Sequence, residues 1–92
     1  MFEPRPGAIL QAVNPNPTNG VTEINFTLSE PGITNIWISN VLGEKILTVA
    51  NDDMKPGSKS LYFDANDLSD GVYFVIMQTP TQLFRKRFII IK

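Results

Sequence analysis

Asn14-Pro15-Asn16-Pro17-Thr18-Asn19-Gly20-Val21-Thr22-Glu23-Ile24-Asn25-Phe26-Thr27-Leu28 is the stretch from which the fold is read. Its second half alternates. Ile24, Phe26 and Leu28 fall on one face, and Glu23, Asn25 and Thr27 on the other. A period of two is that of a β-strand with one dry and one wet face. The first half is a stiff corner. Each proline fixes φ near about −65° and withholds an amide donor. Each also disfavours the α region for the asparagine before it. The four residues are therefore expected to be extended and unable to join a ladder. Such a corner is either architecture in front of a strand or a rigid feature that another protein reads.

The same period runs outward in both directions. Ala8 to Val13 reads as a short first strand, after a Pro- and Gly-containing linker. Glu30-Pro31-Gly32 is a turn signal. Ile33 to Asn40 is the next strand, with Ile36 and Ile38 sharing a face. The tight connection Asn40 to Glu44 places Gly43 at the positive-φ position. Glu44 to Val49 follows as a strand, and Asn51 to Gly57 is expected to be the longest polar connection. Ser58 to Phe63 points Leu61 and Phe63 one way. Asp64 to Asp70 is a loop anchored by Leu68. Gly71 to Thr79 is apolar on both faces, as a central strand buried on both sides would be. Gln82 to Lys92 is the last strand. About seven short strands with frequent turn signals predict an all-β chain, an antiparallel two-sheet sandwich.

Composition narrows the function. Ninety-two residues make one domain with a modest core. The net charge of −1 gives no electrostatic case for nucleic acid or anionic membrane. The absence of cysteine and histidine removes disulfides, thiolate sites and every mechanism that uses imidazole. No apolar run approaches the roughly 20 residues of a membrane-spanning helix. The N-terminus has no basic segment followed by an apolar one, so it does not read as a signal peptide. Met1 reads as a start placed on one piece of a larger protein.

Few residues suggest chemistry. Asp64, Asp67 and Asp70 circle one loop and could offer oxygens to calcium, but their spacing is not that of an EF-hand. Turn chemistry is the simpler reading. Arg85-Lys86-Arg87 is the one dense basic cluster, with Arg85 and Arg87 facing one side of a strand and Lys86 the other. It suits an anionic partner or protection of a sheet edge. Trp37 lies opposite Ile36 and Ile38, where an aromatic can stack on a sugar, anchor an interface or cover the core edge. No serine or threonine has a credible base, and phosphate-binding loops are absent. The chain is not expected to be an enzyme.

Three segments in order carry a resemblance. They are Asn14-Pro15-Asn16-Pro17 before an Ile-x-Phe-x-Leu strand, Asn40-Val41-Leu42-Gly43-Glu44-Lys45-Ile46, and Leu68-Ser69-Asp70-Gly71-Val72-Tyr73-Phe74-Val75. The third is followed by a strand with Lys86 and a terminal Ile-Ile-Ile-Lys. Together they resemble the type A C-terminal sorting domain of proteins exported by the type IX secretion system of Bacteroidetes, over residues 12–92.

The resemblance implies an immunoglobulin-like β-sandwich acting as a non-catalytic address. The division expected is 1–11 as linker to upstream cargo and 12–92 as sorting domain. The cargo would pass through the periplasm, cross the outer membrane, and end secreted or on the cell surface. The partners implied are the type IX translocon, a sortase-like protease that removes the domain, and the upstream cargo. Gly7-Ala8 is the small-residue candidate for that cleavage. No cofactor, nucleic acid or direct membrane insertion is expected, while weak self-association through edge strands is compatible with the pattern. The residues carried over as recognition elements are Pro15, Asn16, Pro17, Gly43, Gly71, Tyr73, Lys86, Ile89, Ile90, Ile91 and Lys92. Trp37, Arg85 and Arg87 are candidate partner contacts. The last strand is the element expected to be offered to a partner by β-augmentation. The competing expectation is a carbohydrate-binding or adhesive sandwich using Trp37.

Overall fold

Alternation along the chain becomes seven antiparallel strands in a computed structural model that describes residues 8–92. They are β1 (Ala8–Asn14), β2 (Val21–Leu28), β3 (Gly32–Ser39), β4 (Lys45–Met54), β5 (Gly57–Asp64), β6 (Gly71–Gln78) and β7 (Leu83–Ile90). The linker expected over residues 1–7 lies outside the described residues. β1 begins at Ala8, within the span expected as linker up to residue 11.

The strands form two sheets, one in the order β1-β2-β5 and one in the order β4-β3-β6-β7. This is an immunoglobulin-like sandwich in which the fourth strand pairs with the third rather than with the fifth. The inward faces meet in one core. Ile24, Phe26, Ile36, Ile38, Val75, Met77, Phe88 and Ile90 are all fully buried. Each such side chain contributes roughly 1.5–3 kcal/mol of hydrophobic stabilisation. Phe88 sits between two rings, edge-on to Phe63 at 5.7 Å and stacked on Tyr73 at 5.9 Å.

Three expectations change. Asn51 to Met54 is not a loop but the second half of β4, paired with Gly32 to Asn35, so that only Lys55 and Pro56 connect β4 to β5. β4 is an edge strand. Its polar side chains stay in water while its backbone gains ladder bonds that do not depend on side-chain polarity. Its register with β3 also slips twice, and bulges of this kind blunt a sheet edge. The second change concerns β6, which is central but not covered by protein on both sides. Tyr73, Val75 and Met77 point into the core, whereas Val72 and Phe74 are half-buried on the outer face. That face is shielded by neighbouring side chains, with the Arg85 guanidinium 4.7 Å from the centroid of the Phe74 ring. The third is the proline corner. Residues 15–17 form a bend, with both Asn-Pro peptide bonds cis, and do not run extended.

Candidate functional site

The proline corner and the last strand, far apart in sequence, meet at one end of the sandwich. Pro15, Asn16 and Pro17 are exposed on the connection between β1 and β2. The Asn16 side-chain oxygen accepts a hydrogen bond from the Ile89 amide at 3.0 Å. Thr18 then forms a short parallel bridge with the tail. Its amide donates to the Ile89 carbonyl at 2.9 Å, and its carbonyl accepts from the Ile91 amide at 2.9 Å. The terminal residue is held as well. The Lys92 amide donates to Asp70 Oδ1 at 3.2 Å, and its ammonium donates to the Asn66 carbonyl at 2.6 Å.

The edge geometry of β7 follows from these bonds. Ile89 directs both backbone groups to the corner, so by antiparallel alternation Arg87 and Arg85 direct theirs the same way. At Ile89 the ladder positions are taken by Asn16 and Thr18. At Arg85 and Arg87 no backbone partner is present among the described residues. A β-augmenting partner would therefore meet ladder positions already taken at Ile89.

A buried hydroxyl pair fixes Thr18 in place. Thr22 donates its hydroxyl proton to the Gly20 carbonyl at 3.0 Å. The 2.7 Å contact between the Thr18 and Thr22 hydroxyls must then use the Thr18 proton. Both residues are almost fully buried, Thr18 at 1 % and Thr22 at 0 % exposure. The neighbouring turn is tied to the same corner, since the Ala65 amide donates to the Gly20 carbonyl at 2.9 Å.

Gly71 and Tyr73 build the opposite wall. Gly71 pairs with Ile90 and has φ of +150°, a backbone region that L side chains rarely adopt. An added Cβ would meet nothing closer than Tyr73 Cε1 at 3.9 Å, so the glycine is required by the backbone and not by space. Tyr73 donates its hydroxyl to the Ser69 carbonyl at 2.8 Å, while its ring packs on Phe88. This is the tyrosine corner of immunoglobulin-like domains, which locks the turn ahead of the strand. Ile90 is fully buried, whereas Ile91 is 55 % exposed.

Other candidates stand apart from this junction. Gly43, at φ +84°, closes the turn between β3 and β4, where Asn40 Oδ1 accepts from the Leu42 and Glu44 amides. Lys86 is opposite Val75, in step with the inward-facing Phe88 yet exposed. An inward-facing charge on an edge strand discourages edge-to-edge pairing. Trp37, Arg85 and Arg87 lie on the outer face of the four-stranded sheet. Of the loop carboxylates, Asp64 accepts from the Asn66 amide and Asp70 from the Lys92 amide. No cluster of three potential metal ligands occurs among the described residues. Tyr62 lies opposite Glu23 on the outer face of the three-stranded sheet. Its pKa is raised because its hydroxyl donates to the Glu23 carboxylate at 2.9 Å, whose charge also opposes ionisation.

The sequence does not mark Thr18 as part of a site, and it offers the Asp64 to Asp70 loop for calcium or turn chemistry, whereas Asn66 and Asp70 hold the tail. Thr22 carries a readable signal, since it shares the parity of Ile24, Phe26 and Leu28. Nothing local marks Thr18, whose role is set by contact with a strand more than seventy positions away.

The family model described as "Secretion system C-terminal sorting domain" matches residues 12–92. No curated protein sequence matches the chain.

Proposed function

Because the chain belongs to the secretion system C-terminal sorting domain family, we propose that it directs an attached cargo through the type IX machinery, toward the cell surface or the extracellular space. The observation that carries the proposal is the family match over residues 12–92. The junction gives it a physical form. Such an address needs exposed features held rigidly, and Asn16, Thr18 and Asp70 hold the tail in one conformation. Pre-ordering of this kind lowers the entropy that a partner must remove on binding. In this reading the exposed elements Pro15, Pro17, Ile91 and Lys92 are presented together, while Gly71 and Tyr73 position them.

Removal by a sortase-like protease, with transfer of the cargo to the cell surface, is part of the same proposal. Ala8 is 2 % exposed and pairs with Leu28. A cut that leaves the sandwich whole therefore falls before Ala8, which includes the Gly7–Ala8 bond. A non-catalytic role fits this reading, in which the domain is recognised and does not itself react. The carbohydrate-binding alternative is weaker, because the Lys45 ammonium lies over one face of the Trp37 ring, 4.6 Å from its centroid. A sugar stacking on that face would have to displace it.

The test is a passenger protein, carrying its own signal peptide, fused ahead of this chain in a host that has the type IX machinery. The expected result is passenger outside the outer membrane, and passenger in the periplasm when the translocon is deleted. Equal export with and without the translocon would refute the proposal.

A further inference from the structure

The two outer faces of the sandwich differ in kind. On the three-stranded sheet, polar side chains satisfy one another across strands. Tyr62 donates to Glu23, Ser60 to Asn25, and the Thr27 and Ser58 hydroxyls pair at 3.1 Å. On the four-stranded sheet, register places Thr48, Trp37, Ile76 and Arg85 in one row, and Lys45, Ser39, Phe74 and Arg87 in the next. The centre of this face is apolar and its two flanks are cationic. Leu42, 80 % exposed, and Leu83, 66 % exposed, border an open concavity of about 460 Å³ whose floor is Trp37, Phe74 and Ile76.

The cations here have ring partners but no carboxylate partners. Lys45 lies over Trp37 and Arg85 over Phe74, and no ion pair to either is present among the described residues. Glu44, which precedes Lys45 in sequence, accepts from the Asn40 side-chain amide at 2.7 Å. Asp53 lies on the same face at its far end, opposite Ile33. An apolar floor between unneutralised cations is complementary to a surface that carries both apolar groups and carboxylates. The cation over the Trp37 ring disfavours a neutral sugar, and the exposed leucines give a purely anionic glycan nothing to bury.

We propose that the outer face of the β4-β3-β6-β7 sheet, centred on Trp37, Phe74 and Ile76 between Lys45 and Arg85, docks an acidic, leucine-rich segment of a partner protein. This surface is separate from the tail junction and does not depend on the sorting role.

Trp37 is the sole tryptophan and reports directly on the site. The experiment titrates the whole chain with a short synthetic peptide alternating glutamate and leucine, read by Trp37 emission. The controls are a lysine–leucine peptide, a glutamate–serine peptide and dextran sulfate. The expected result is a saturable emission change with the glutamate–leucine peptide alone. It should weaken about tenfold in a Lys45→Ser/Arg85→Ser variant that melts like the parent, and weaken further with added salt. No change with that peptide, or equal binding by the lysine–leucine peptide, would overturn the proposal. Equal binding by dextran sulfate would reassign the face to anionic polysaccharide. Concentration-dependent sedimentation abolished by Leu42→Glu would reassign it to a second copy of the chain. Either reassignment overturns the proposal as well.

Discussion

Replacing Thr18 by valine probes the hinge on which the corner–tail junction turns. Valine keeps the shape and removes the hydroxyl. Thr18 is the donor in its 2.7 Å bond to Thr22, because the Thr22 proton goes to the Gly20 carbonyl. Thr18→Val therefore removes this buried hydrogen bond and the long 3.4 Å bond from the half-buried Gly20 amide, and leaves Thr22 still donating, at a cost of about 1 kcal/mol. Thr22→Val is expected to be worse. It removes the bond to Gly20 and strands the Thr18 proton in a site only 1 % exposed, at a cost of about 2–3 kcal/mol. In the double variant no proton is stranded, so its cost falls short of the summed single costs by about 1 kcal/mol. For a domain of this size 1 kcal/mol corresponds to roughly 4–8 °C in Tm. Thermal and urea unfolding of all four proteins measure the cycle. Amide exchange at Ile91, whose amide donates to the Thr18 carbonyl, should accelerate in the variants, since the hydroxyl pair no longer fixes the Thr18 backbone in place. Additivity within about 0.5 kcal/mol, or a milder effect of Thr22→Val than of Thr18→Val, would refute the assigned donor order.

Further outcomes follow from the same geometry. Tyr73→Phe keeps the stack on Phe88 and loses the 2.8 Å bond to Ser69, whose carbonyl can turn to water; about 1 kcal/mol should be lost in urea unfolding. Phe88→Ala empties the centre of the aromatic cluster and should cost about 3–5 kcal/mol, much of the marginal stability of a small domain, read as a large fall in Tm. Tyr62 should ionise above the ordinary tyrosine pKa in an ultraviolet pH titration, and Glu23→Gln should bring it down. A raised pKa means the neutral phenol is favoured by folding. Its contribution is thus full below the ordinary value near 10 and is lost as pH rises through the folded value.

What the sequence shows and what it hides divide along physical lines. Ile24, Phe26 and Leu28 announce their face because burial on one side of a strand imposes a period of two, and the structure buries all three. Gly43 is legible because a tight turn demands positive φ, and it adopts +84°. Asn51 to Met54 is illegible as strand, since an edge strand in water selects neither hydrophobicity nor alternation. The β6 pattern misleads in the opposite sense. Its outer residues Val72 and Phe74 are half-buried, and the Arg85 guanidinium over the Phe74 ring, not a further layer, shields that face. The site itself is only half legible. Pro15, Asn16, Pro17 and the terminal isoleucines are conspicuous as residues. That Asn16 bonds the Ile89 amide, and that Thr18 bridges Ile89 and Ile91, depends on a tertiary contact with no local signature.

The central claim, that the pinned tail is the address, is tested most directly by deleting only Ile91 and Lys92. Removing Arg87 to Lys92 would also take Phe88 and Ile90 from the core and confuse misfolding with lost recognition. Ile91 and Lys92 are exposed and lie beyond β7, so the core stays intact. The measurement is the fraction of a fused passenger found outside cells that have the type IX machinery, alongside a melt of the isolated variant domain. The account predicts a folded domain whose passenger stays in the periplasm. Export at the undeleted level from that folded variant would contradict it.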